Sequence, residues 1–247
     1  VPLPAPVALE VLNCNFVTPN GTCVVNTSIS SDEAALQLIF DGDISISPSV
    51  ALKSGLGILL SATGMVTTGA KTSLKAASGI IITGAEVNLH GTTMRAGTDI
   101  LIGNSSAPEI VALNFGAACS SGVTSTDSAF VAPSVTFRCW EGTVSLLGTT
   151  VVWATAIHGQ LSIEAATVQI PSAHVSLHTR NVIVYSTGDA HIASSFPSTP
   201  NPPSDDLPSL ELIPSALRLI VMGSLSIGVI DGRWNLKTLQ AFANNIK

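Results

Sequence analysis

Four aliphatic residues, Leu161, Val168, Val175 and Val182, stand seven positions apart, and each opens an apolar–x–apolar triplet: LSI, VQI, VSL and VIV. Alternation with period two is the mark of a short strand with one buried face. Small or polar residues separate the triplets at a constant step, so the chain winds rather than folding back on itself. The same triplets occur earlier: Ile58–Leu60 after Gly57, Ile80–Ile82 after Gly79, and Ile100–Ile102 after a turn at Gly97. Their first residues are 22 and 20 positions apart, one full coil each. Met65-Val66, Leu74, Val87/Leu89 and Met94 fall between them, giving three strands per coil. The spacing predicts an all-β chain, a right-handed parallel β-helix with three faces.

Composition agrees with stacked strands. Only 4% of the 247 residues are aromatic while 46% are hydrophobic, so the core is built from Val, Ile, Leu and Ala. Charged residues make up 11% of the chain, against a usual share of roughly 25%. The net charge is −6 and no basic run exists, which argues against nucleic-acid binding and against docking on anionic membranes. The longest apolar run, Leu219 to Ile230, is too short to span a bilayer and is interrupted by serine and glycine, so no membrane insertion is expected.

Cys14 and Cys23 lie close in sequence, as do Cys119 and Cys139, and two short-range disulfides are the natural pairing. Asn20, Asn26 and Asn104 each begin an Asn-x-Ser/Thr sequon. Together these features point to an oxidising, secretory route and an extracellular or cell-surface location. No signal peptide is visible and the chain starts at Val1. A processed product, or a piece of a longer protein, is expected.

The expected organisation has three parts. Residues 1–41 form an N-terminal cap pinned by Cys14–Cys23. Residues 42–230 form the solenoid, with insertions at 103–129 and at the Pro-rich 194–209. In residues 231–247, Trp234, Leu236, Leu239, Phe242 and Ala243 have the near-helical spacing of a short amphipathic helix closing the last coil. The alternative there is a solenoid that continues.

Chemistry-bearing residues are sparse, and neither a catalytic set nor a cofactor is expected. His174 and His178 share strand parity and could hold a metal on one surface, but no nearby Cys, Asp or Glu completes a ligand set; solvent-exposed decoration is the simpler reading. Glycoside hydrolysis needs two facing carboxylates. Glu86, Asp99, Glu141, Glu164 and Asp189 are scattered through the winding stretches, Asp41 and Asp43 flank a turn, and Asp205 and Asp206 sit in the Pro-rich loop. No Gly-x-Ser-x-Gly elbow or phosphate-cradling glycine loop is present. Trp140 and Trp153 could contribute to a sugar platform, with buried packing near the Cys119–Cys139 link as the expected role.

The motifs Gly-Ile-Leu-Leu at 57–60 and Gly-Ile-Ile-Ile at 79–82, with the seven-step series at 161–184, resemble the repetitive parallel β-helix shafts of secreted filamentous adhesins of the haemagglutinin and autotransporter-passenger type. The resemblance covers about residues 42–102 and 135–193. It implies a structural or adhesive surface protein that associates with itself or with other chains of a larger assembly. The sequons and short cysteine loops depart from bacterial shafts and suggest a eukaryotic protein of similar build. Two other functions fit the scaffold: a glycan-binding module with a groove between the two insertions, and a polysaccharide-degrading β-helix enzyme.

Overall fold

A computed structural model describes residues 9–11, 14–103, 119–155, 159–171, 174–193, 215–228 and 236–246. The described elements are all strands. Nearly every pairing is parallel and joins a strand to its counterpart one coil away. The pairing of Phe16–Val17 with Thr22–Val25 is the sole antiparallel one described. The chain is a parallel β-solenoid.

Three faces run along it. The first carries Ala35–Phe40, Ile58–Ala62, Ile80–Thr83 and Asp99–Gly103, each in register with the next. The second carries Thr22–Val25, Asp43–Ile46, Met65–Thr68, Glu86–His90 and Gly122–Thr126. The third is a seven-stranded parallel sheet from Ile29–Ser31 to Ser176–His178. Three long strands, Ser134–Leu147, Gln160–Ile170 and Ser215–Ile227, turn the corner between the first two faces without a break, so those faces form one continuous sheet.

The inward columns explain the sequence pattern. On the first face Leu36, Ile58, Ile80, Ile100, Val135, Leu161, Val182 and Leu217 stack in register, all at most 2% exposed. On the third, Leu52, Leu74, Met94, Phe130, Val152 and Leu177 do the same. Leu161, Val168, Val175 and Val182 are all buried, and Leu161 pairs with Val182. Seven residues therefore carry the chain from face to face, and 21 close this coil. Full burial of each aliphatic side chain contributes about 1.5–3 kcal/mol, repeated along the axis.

One corner uses hydroxyls rather than aliphatics. Thr72, Thr92, Ser128 and Thr150 are buried at the start of successive third-face strands. Thr72 Oγ1 donates to the Gly69 carbonyl at 2.7 Å, and Thr150 Oγ1 to the Leu147 carbonyl at 2.7 Å. These are the short bonds to corner carbonyls whose backbone donors, Thr72 N to Gly69 and Thr150 N and Asp127 N to Leu147, stand farther off at 3.3–3.4 Å. Lys71, Gly91 and Asp127, each immediately before a member of this column, have positive φ, as do Ser49 before Val50 and Gly148 two residues before Thr150, so a left-handed corner recurs coil after coil.

Three expected boundaries move. The winding starts before Gly42, because Thr22–Val25, Ile29–Ser31 and Ala35–Phe40 already pair parallel with the following coil. The insertion expected at 103–129 is shorter: Gly122–Thr126 and Ala129–Ala132 lie in register with neighbouring rungs. Residues 104–118 lie outside the described residues, as does the Pro-rich stretch 194–209. The expected C-terminal helix is a strand: Leu236–Ile246 pairs parallel with Ser215–Ile227, whose open edge supplies hydrogen-bond partners to the backbone. Tertiary pairing thus overrides the helical spacing of the side chains.

Candidate functional site

Arg138, Glu164 and Tyr185 are outward neighbours on three successive coils of the first face. They stand at the corner where the long strands turn. Arg138 Nε donates to Glu164 Oε2 at 2.7 Å, and its Nη2 to Oε1 at 3.1 Å, a two-pronged pair with both side chains more than four-fifths buried. Ser162 Oγ also donates to Oε1, at 3.0 Å, the third hydrogen bond to this carboxylate. The Arg138 guanidinium lies 6.0 Å from the Trp140 ring centroid, and Trp140 meets Tyr185 edge-on at 5.6 Å.

A register shift between Cys139 and Thr143 lets Trp140 stand out from the corner. Beneath it Cys139 points inward and is bonded to Cys119, both fully buried. The disulfide ties the rung beginning at Gly122 to this corner. Trp140 itself is 41% exposed, which corrects the expectation that it is packed against the disulfide. A shallow groove lined by Gln160, Asn181, Ile183, Arg218 and Gln240 occupies the adjacent outward positions of the same face. The arrangement offers an aromatic surface, three side-chain amides and a cation along one stretch, chemistry suited to hydrogen bonding and stacking on a sugar.

The other residues singled out in the sequence have structural places. Cys14–Cys23 closes the antiparallel hairpin. The two disulfides belong to an oxidising environment, extracellular or secretory. Asn20 and Asn26 are exposed in the same N-terminal region, whereas Asn104 falls outside the described residues. No described helix is long and apolar enough to cross a membrane.

His174 and His178 do not share an open surface. His174 is exposed in a turn, whereas His178 is buried against Trp153. Burial pushes the His178 imidazole down to about 4, because the charged form loses its hydration. Among the described residues no three His, Cys, Asp or Glu side chains gather closely enough to hold a metal ion.

Several carboxylates instead brace the next coil. Asp43 Oδ1 accepts from Met65 N at 2.7 Å, Asp189 Oδ1 from Ser224 N at 2.7 Å, and Asp127 Oδ1 from Thr149 N at 2.8 Å. These bonds with the Thr149 backbone and hydroxyl hold the Asp127 carboxyl below its ordinary range. Asp205 and Asp206 fall outside the described residues.

Sequence reading missed the Arg138–Glu164–Tyr185 column. Its members are 26 and 21 residues apart, and only the coil register brings them together. No family model matches the chain, and no curated protein or solved structure matches it.

Proposed function

We propose that the protein is an extracellular glycoprotein with a structural or adhesive role, its solenoid forming part of a filament, coat or surface assembly. The observation that carries this reading is an outward aliphatic column. Leu59, Ile81 and Leu101 are register partners on the outer side of the first face, each partly exposed, with Ile39 37% exposed beside their line. Outward strand positions on a solvated face are ordinarily polar. A contiguous apolar strip on a flat sheet is a contact surface, and a second copy of the chain carries the matching strip. The filamentous-adhesin resemblance supports the same role.

The test is sedimentation velocity on the glycosylated chain over a wide concentration range. Growth of larger species is expected, with Ile81→Lys returning the chain to monomer at an unchanged melting temperature. A monomer at every concentration, indifferent to Ile81→Lys, overturns the proposal.

The second reading is glycan binding at the outer corner of the first face. Trp140 and Tyr185 beside the groove of Gln160, Asn181, Arg218 and Gln240 favour it. This reading uses a groove on the sheet face; the groove expected between the two insertions falls largely outside the described residues.

A further inference from the structure

The shallow groove on the first face differs from the Arg138–Glu164 pair beside it in one respect: its charge is uncompensated. Arg218 is exposed at an outward position, with Leu217 and Leu219 buried on either side of it. Its register partners are Ile183 on the preceding coil and Gln240 on the next. Among the described residues no carboxylate pairs with it, although the chain holds 16 Asp and Glu against 10 Lys and Arg. Gln160, Asn181 and Gln240 line the same groove, and among the described residues their side-chain amides likewise have no hydrogen-bond partner. Four polar side chains thus line one depression with their bonds to protein unmade.

The depression lies where Ala216, the register partner of Asn181, ends at its Cβ. It runs across the strands from Gln160 through Asn181 and Ala216 to the coil of Gln240. That is three coil steps, or about 14 Å. Ile183 gives it an apolar side, and Tyr185, two positions further along the same strand, carries that side to Trp140. The two ends differ in charge. Glu164 is neutralised by Arg138 and Glu141 stands exposed beside Trp140, whereas Arg218 has no counter-ion among the described residues. An anionic group is therefore attracted to the Arg218 end and disfavoured at the Trp140 end.

We propose that this groove binds an acidic oligosaccharide, with a uronic-acid carboxylate seated on the Arg218 guanidinium and a neighbouring sugar ring packed against Trp140 and Tyr185. The planar guanidinium fork matches a carboxylate through two parallel hydrogen bonds. The Asn181 and Gln240 amides, on the coils before and after Arg218, are placed to bond the sugar hydroxyls beside it. A phosphate polymer fits less well, because the groove offers one cation rather than a row. The inference rests on the glycan reading of the first-face corner and adds to it the class of sugar.

The experiment is titration of the whole glycosylated chain with trimers of galacturonic acid and of glucuronic acid, each against its methyl ester, which keeps the hydroxyls and removes the charge. At least one acid should bind about tenfold more tightly than its ester. Arg218→Gln should abolish that preference while leaving the ester's affinity unchanged, and Arg218→Lys should restore part of it. Trp140→Ala should remove binding of acid and ester alike. Lys75→Gln, exposed on the third face, should change neither, which excludes a general charge effect. Arg218 and Trp140 are exposed, so circular dichroism and melting should stay unchanged in their variants. Equal binding of acid and ester, or a preference for the acid that survives Arg218→Gln, overturns the inference and leaves glycan binding at the corner standing. Failure of all four trimers to bind also overturns it, and the glycan reading falls with it when neutral glycans fail to bind as well.

Discussion

Trp153 stacks on His178 of the next coil, the two rings 9° from parallel with centroids 5.0 Å apart. Both are outward by strand parity, yet both are more than nine-tenths buried. Among the described residues neither Trp153 Nε1 nor His178 Nδ1 has a hydrogen-bond partner. Burial without a partner for Nδ1 therefore favours the neutral imidazole over the charged one.

That pair makes stability depend on pH. The folded His178 titrates at about 4, below the 6.5 of an unfolded histidine. The unfolded chain therefore binds the extra proton first, and stability falls as pH drops from about 6.5 to about 4. Its contribution is fully present above that window and lost below it, up to about 3 kcal/mol. Chemical denaturation at pH 7 and pH 4.5 checks this, and His178→Phe should remove most of the difference. An identical pH slope in the variant would show that another group is responsible.

The core ladder predicts a large effect at Phe137. It is fully buried, stacks in register between Ile102 and Ile163, and meets Phe130 edge-on at 5.1 Å. Phe137→Ala should destabilise the chain by about 3–5 kcal/mol, and Phe137→Leu by clearly less. The midpoint of urea denaturation reads both.

The corner hydroxyls predict a smaller but specific one. Thr150→Val keeps the volume and leaves the Leu147 carbonyl without its 2.7 Å partner. A loss of about 1–3 kcal/mol is expected, whereas Thr150→Ser should retain most of the stability. Equal losses in both would mean that the methyl group matters, not the hydrogen bond.

The disulfide Cys119–Cys139 spans 20 residues and Cys14–Cys23 spans nine. By loop-closure entropy, removing the first by paired serine substitution should lose about 3 kcal/mol, and removing the second somewhat less. Thermal melts of each pair of variants, with and without reductant, measure the difference.

Glycan recognition at the first-face corner makes its own demand. Trp140→Ala should abolish binding on a glycan array while leaving the fold intact, because the ring is substantially exposed. Glu164→Gln should weaken the positioning of Arg138 and reduce binding in part. An array with no hits for the unaltered chain removes this reading.

The inward pattern was legible in the sequence because a solenoid repeats the same small aliphatic at the same place in each coil. Leu161, Val168, Val175 and Val182 announced the face-to-face step, and Ile58, Ile80 and Ile100 the coil. The cysteine pairs were legible for a simpler reason: their partners are local. Gly122–Thr126 escaped notice because its second inward residue is the fully buried Ser125, which breaks the apolar alternation.

The outward surface was decided by the tertiary structure. The partner of an outward residue is one coil away, and the length of a coil changes wherever a corner carries extra chain. Met94 pairs with Leu74 after 20 residues but with Phe130 after 36. Thus Gln160, Asn181, Arg218 and Gln240 become one groove, and Arg138, Glu164 and Tyr185 a cluster, only once the register is known. Periodicity records what each strand buries. What neighbouring coils present together depends on how much chain each corner holds, and no local pattern encodes that.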